Sequence, residues 1–180
     1  DYWDLFETPY LPQAEFALLS EHNPPTTTWQ KPIRILAIFG GDQGGLQLGQ
    51  DRELIENLER HGAKITPIPA RGDSLTYQQL YKSIRRGNWD IIFYAGHSSD
   101  QGVNVNTTLN VPIKALRGAL RRAAPKVKLA IFNSCDGLDI GEYLANFDIP
   151  NMIVMREPVP DLVARSFLKY FLEEFTQGKP

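Results

Sequence analysis

The chain has 180 residues, 42% apolar and 22% charged, enough for one domain with a real core and too few for two comfortable ones. That balance excludes a disordered chain, and a formal net charge of −2 offers no bulk attraction to nucleic acid or to an anionic membrane. No apolar run approaches the roughly 20 residues of a membrane span.

A single cysteine makes no internal disulfide, so a reducing, cytoplasmic setting is expected. The chain opens without Met or a basic-then-apolar signal segment, and its last helix stops at Gln177-Gly178-Lys179-Pro180. A piece of a longer polypeptide with further domains is therefore expected.

Residues 1–31 read as an arm or linker preceding a domain over residues 32–180. Asp1 to Phe6 is acidic and aromatic, Pro9, Pro12, Pro24 and Pro25 break any long helix, and Gln13 to Glu21 has room for two helical turns. Ile33 to Phe39 is an uninterrupted apolar run, the pattern of a strand covered on both faces. Gly40 to Gly45 follows as a glycine-rich loop. Leu54, Ile55 and Leu58 mark a helical stripe over Asp51 to His61 that Gly62 ends. Lys64 to Ile68 is a strand that Pro67 assigns to a sheet edge.

Ser74 or Thr76 caps a helix to Arg86 with Leu80, Tyr81 and Ile84 inward. Asp90 to Ala95 is a second buried strand. Gln101 to Asn110 is polar, a hairpin or an ordered loop. Pro112 opens a helix to Ala123. Its basic cluster, Arg117 to Arg122 with Lys126 and Lys128, reads as a solvated face. Leu129 to Asn133 is a third buried strand, Asp139 to Asn146 a short helix and Met152 to Met155 another strand. Asp161 caps a last helix whose apolar face is Val163, Phe167, Leu168, Tyr170, Phe171 and Phe175. Strict strand–helix alternation with short links predicts an α/β sandwich, with a mainly parallel sheet of five or six strands and helices on both faces.

Two of these strands deliver chemistry. One runs into Gly96-His97-Ser98 and another into Ser134-Cys135-Asp136-Gly137. In open α/β sheets ligands bind at the carboxyl edge, and a cysteine just past a strand is better placed for reaction than one inside it. A thiolate nucleophile needs a base or a helix dipole, and an imidazole with a pKa near ~6.5 serves as that base. The bland readings are a small buried cysteine and a loop histidine bonded to backbone. The shared sheet edge favours the pair.

Phe93-Tyr94-Ala95-Gly96-His97-Ser98 and Ile131-Phe132-Asn133-Ser134-Cys135-Asp136-Gly137 resemble the His and Cys blocks of the caspase-like cysteine peptidases, and among them the CHAT family. Met155-Arg156-Glu157-Pro158-Val159-Pro160-Asp161 and the Phe-rich helix resemble that family's closing strand and helix. The likeness spans about residues 33–180. It implies a caspase-hemoglobinase fold and peptide-bond hydrolysis by a His97–Cys135 dyad, without metal or cofactor, on a protein or peptide substrate. It implies an oxyanion site from the Cys135 N–H and a backbone N–H at Gly96-His97-Ser98. Ser98 stands where caspases carry Gly, and Asn133 where metacaspases carry an acid and caspases a Gln. Charge for a basic substrate side chain would then come from Asp42, Asp136 or Glu157.

Two rivals remain. Gly40 to Gly45 invites a phosphate cradle, although neither Gly-x-Gly-x-x-Gly nor a Lys-Ser or Lys-Thr pair is present. The same fold also serves as a docking or signalling module with little proteolysis. A phospho-receiver is excluded, because Ala95 and Gly96 stand where its Asp would be. Nucleic acid and membrane are not expected partners.

Overall fold

The computed structural model describes residues 16–19, 29–41, 46–99, 102–134, 143–144, 146, 149–155 and 161–176. Its main sheet comprises β1 (Phe16–Leu19), β2 (Ile33–Phe39), β3 (Ala63–Ile68), β4 (Ile91–Ala95), β8 (Leu129–Asn133) and β9 (Met152–Met155). The spatial order is β1-β9-β8-β4-β2-β3. Every neighbouring pair is parallel except β1 with β9. A second, three-stranded antiparallel sheet joins β5 (Ser98–Ser99), β6 (Gly102–Asn104) and β7 (Asn110–Val111).

Alternation along the strands sorts the core into two layers. Ile35, Ala37, Phe39, Ile91, Phe93, Leu129 and Ile131 pack with Ile55 and Leu58 of the first helical segment and with Leu168 and Leu172 of the last. Leu36, Ile38, Ile92, Tyr94, Ala130 and Phe132 face the other way, onto Leu80, Ile84, Leu116 and Leu120. Helices α1 (Leu48–Glu56) and α4 (Asp161–Thr176) therefore cover one face, and α2 (Tyr77–Arg86) and α3 (Arg117–Ala123) the other. The result is a three-layer α/β sandwich, as the alternation of elements predicts. Thr76 caps α2 in a full capping box with Gln79, and β3 lies at a sheet edge as Pro67 requires.

At the amino ends of the three central strands, Asp90 acts as a clamp. Its carboxylate accepts from the Arg34 N–H at 2.9 Å and the Arg34 Nε at 3.1 Å, with Lys128 Nζ 3.8 Å away. Its carbonyl accepts from the N–H groups of Lys128 and Leu129. One residue thus ties β2, β4 and β8 together.

Two expectations are corrected. Residues 16–19 form strand, not helical turns: two turns of helix are too short to hold on their own, and Phe16–Leu19 pair instead with the β9 edge. Tyr170 is 48% exposed, because the buried stripe of α4 runs through Ala164, Leu168 and Leu172. The hairpin expected between Gln101 and Asn110 is present as β6 paired with β7, and β5 adds a third strand to it, its apolar side made by buried Val103 and Val111. Of the short helix expected over residues 139–146, Tyr143 and Leu144 are helical, Asn146 stands in a turn, and the rest lies outside the described residues.

Replacing Asp90 by Ala strands the Arg34 N–H and leaves two cations without their carboxylate. A loss of about 2 kcal/mol in folding stability is expected from urea denaturation.

Candidate active site

Taken without β1, the parallel strands run second, first, third, fourth, fifth along the sheet. The chain reverses direction between β2 and β4, and the carboxyl tips at such a reversal form the crevice where α/β proteins bind ligands. Gly40 and Gly41 leave β2 here, and Gly96 and His97 leave β4.

The tip of β4 stays joined to that of β8. Ala95 lies opposite Asn133, and one residue further the Gly96 N–H donates to the Asn133 carbonyl at 3.4 Å. His97 follows this last rung, half-buried. Its carbonyl accepts from the Tyr94 hydroxyl at 2.6 Å and from the Asn104 N–H at 2.9 Å. The Tyr94 hydroxyl also approaches the Asn104 carbonyl at 3.1 Å, so a single phenol pins the His97 turn to β6.

This arrangement demands two glycines. A Cβ on Gly96 would lie 2.7 Å from Tyr94 Oη, and one on Gly40 would lie 2.9 Å from the same atom. Both distances are impossible for a real side chain, which explains the small residues around the histidine. Ser98 begins β5 opposite Val103, next to the bonded His97–Asn104 pair. In an antiparallel ladder the residue after a bonded pair turns its N–H away from the partner strand.

At the β8 tip lie two buried polar residues, of which Asn133 meets the carboxylate of Asp51 in α1. Asn133 is 8% exposed and Ser134 5%. The Asn133 Nδ2 reaches Asp51 Oδ1 at 3.5 Å, while Asn133 Oδ1 and Ser134 Oγ have no hydrogen-bond partner among the described residues. Asp51, in the first turn of α1, is 1% exposed. The sequence reading passed over this acid. The signal was present: Asp51 and Arg52 sit four and three residues before Ile55, on the apolar stripe, where a helix that only packs would carry apolar side chains.

Beside the tips of β2 and β3 opens a cavity of about 450 Å³, lined in part by Gly40, Gly41, Arg52, Arg71 and Asn106. Arg52 is held within its wall. Nη2 donates to the Pro69 carbonyl at 2.7 Å, the guanidinium lies 4.4 Å over the Phe39 ring, and Nη1 is 3.6 Å from Glu56. Burial lowers its pKa, Glu56 opposing and Arg71 adding to the shift. A phosphate cradle over Gly40 and Gly41 is not favoured, since the Gly40 N–H is given to the Ala95 carbonyl and the Gly41 N–H to that of Asn104.

Of the expected site residues, His97, Gly96, Ser98 and Asn133 gather at one edge of the sheet. Cys135, Asp136, Asp42 and Glu157 lie outside the described residues. Among the described residues there is no cluster of His, Cys, Asp and Glu able to hold a metal, and no helix is long and apolar enough to cross a membrane.

Burial raises the Tyr94 pKa far above its ordinary value, the Asn104 carbonyl bond opposing weakly. A hydroxyl kept neutral by the fold contributes stability that is complete below its unfolded pKa. That stability is lost as pH rises above about 10, where the unfolded chain ionises first. Wild-type melting temperature should therefore fall above about pH 10 more steeply than that of Tyr94→Phe. At neutral pH the variant should lose about 1 kcal/mol and show faster amide exchange at Asn104.

No family model matches the chain, and no curated protein does. Among solved structures, the chain is similar to beta-glucoside phosphorylase BglX, with 14% identity over 93% of this chain, 29% of that one, and a TM-score of 0.42. It is also similar to a flavodoxin, the WrbA-like protein from Agrobacterium tumefaciens, with 15% identity over 82% of this chain, 99% of that one, and a TM-score of 0.32. The chain thus spans under a third of the phosphorylase it resembles, and neither likeness bears on function.

Proposed function

We propose that this chain is a caspase-like cysteine peptidase domain of the CHAT type, hydrolysing peptide bonds with Cys135 as nucleophile and His97 as base. The observation that carries the reading is the register of β4 on β8. His97 is two residues past Ala95, Cys135 is two residues past Asn133, and Ala95 and Asn133 are hydrogen-bonded neighbours at the tips of parallel strands.

In this mechanism His97 takes the proton from the Cys135 thiol as sulfur attacks the scissile carbonyl carbon. The resulting oxyanion is met by the N–H groups of Cys135 and Ser98. Collapse breaks the C–N bond, the imidazolium gives its proton to the departing amine, and a thioester remains. Water, losing a proton to His97, then hydrolyses the thioester and returns the thiol. Tyr94 and Asn104 orient the imidazole through the His97 carbonyl, so no third catalytic side chain is required.

Substrate preference follows from the acceptors beside the β8 tip. The Asp51 carboxylate and Asn133 Oδ1 are buried together and favour a cationic substrate side chain next to the cleaved bond.

Cys135→Ala is expected to lower peptide cleavage at least ~1,000-fold while leaving the urea midpoint unchanged; retained turnover refutes the proposal. A thiol-reactive peptide probe should label the wild type rapidly and His97→Ala slowly, and slow labelling of both would favour a docking module instead. Asp51→Asn should reduce kcat/KM for Lys or Arg substrates by about 10- to 100-fold, the worth of one charge-assisted hydrogen bond. A matched series of peptides assays this, and an unchanged ratio against neutral substrates removes the assignment of Asp51.

A further inference from the structure

The net charge of −2 conceals a segregation of charge along the sequence. Residues 74–89 and 102–134 carry nine of the 19 Lys and Arg and none of the 21 Asp and Glu. The rest of the chain keeps ten cations against all 21 acids, a formal charge of −11. The acid-free stretches include all of α2 and α3.

These helices run side by side and in step. The Tyr77 hydroxyl donates to the Ala115 carbonyl near their starts. Midway, Tyr81 closes on Gly118, where a Cβ would lie 2.9 Å from the phenol oxygen. Past their ends, Lys126 bonds to Asn88. With the seam fixed at three levels, Lys82, Arg85 and Arg86 project from one side. Arg117, Arg121 and Arg122 project from the other, with Lys114 and Lys126 at its two ends. All eight are exposed. Among the nine cations only Lys128 is drawn inward, to Asp90 and Trp29.

Helix dipoles explain only part of this. Cations in a last turn offset the dipole, but acids in a first turn do so equally, and α2 and α3 have none there. Like charges four residues apart, as in Lys82–Arg86 and Arg117–Arg121, repel and cost stability. A solvated face that merely keeps the protein soluble gains nothing from such segregation.

We infer that the α2–α3 layer is a binding surface for single-stranded nucleic acid. Arg outnumbers Lys five to three in the exposed set, which suits bidentate contact with phosphate. Tyr77, 37% exposed at the head of the seam and tilted against Tyr81, supplies a ring on which a base stacks. A protein partner would want a buried apolar anchor. Among the described residues the other exposed large apolar side chains, Leu162 and Tyr170, belong to α4 on the opposite face. No residue proposed for catalysis belongs to α2 or α3, so this binding does not depend on the peptidase reading.

The test is fluorescence anisotropy with a labelled single-stranded oligonucleotide of roughly 20 nucleotides. With about five phosphates neutralised, affinity should fall about 100-fold between about 50 and about 200 mM salt. The variant R85E/R86E/R121E/R122E should lose at least tenfold, and the milder R85Q/R86Q/R121Q/R122Q should lose less while flattening the salt slope. Lys64→Glu on β3, away from the layer, should change nothing. Tyr77→Leu should weaken binding with the salt slope intact. Overturning results are no binding at low salt, equal binding to poly-glutamate or anionic vesicles, tighter binding to a duplex of the same length, or insensitivity to the four substitutions.

Discussion

The central strands β2, β4 and β8 are covered by helices on both faces, and a polar side chain between them would give up its hydration without a partner. Hydrogen bonding across these strands falls almost entirely to the backbone, so polar chemistry is confined to their ends. At the amino ends it takes the form of the Asp90 clamp. At the carboxyl ends it becomes the Gly96–His97 turn and the Asn133–Ser134 cluster. The same burial that makes the sheet rigid fixes where any reacting group must stand.

The two ends are built to different standards. Asp90 is satisfied from several directions, as a structural carboxylate should be. Asn133 Oδ1 and Ser134 Oγ are buried without a hydrogen-bond partner among the described residues, a condition that costs stability unless something completes it. Unmet acceptors at the tip of a rigid strand are a reserve that a bound group with donors can draw on.

The strands were readable because a run such as Ile91-Ile92-Phe93-Tyr94-Ala95 has no amphipathic alternative. The α2 cap was readable because Thr76 and Gln79 carry the capping chemistry in four residues. Residues 16–19 misled because four apolar residues after a proline specify no element alone; pairing with β9 decides them. Tyr170 misled because an aromatic-rich helix looks apolar all round. At the site, His97 was legible from its strand, while Asp51 was hidden inside a helix counted only for its apolar residues. Total charge was the least informative number, since a sum cannot report that the two stretches holding α2 and α3 carry cations and no acids.

The antiparallel pairing of Phe16–Leu19 with Met152–Met155 closes the outer flank of β9. A shortened version of the chain starting near residue 32 would retain the whole parallel sheet, yet it would leave the backbone amides and carbonyls of β9 open to solvent beside four buried apolar side chains. Such a border recruits strands from other molecules. The short leading strand therefore covers the one border of the parallel sheet that lies beside β9.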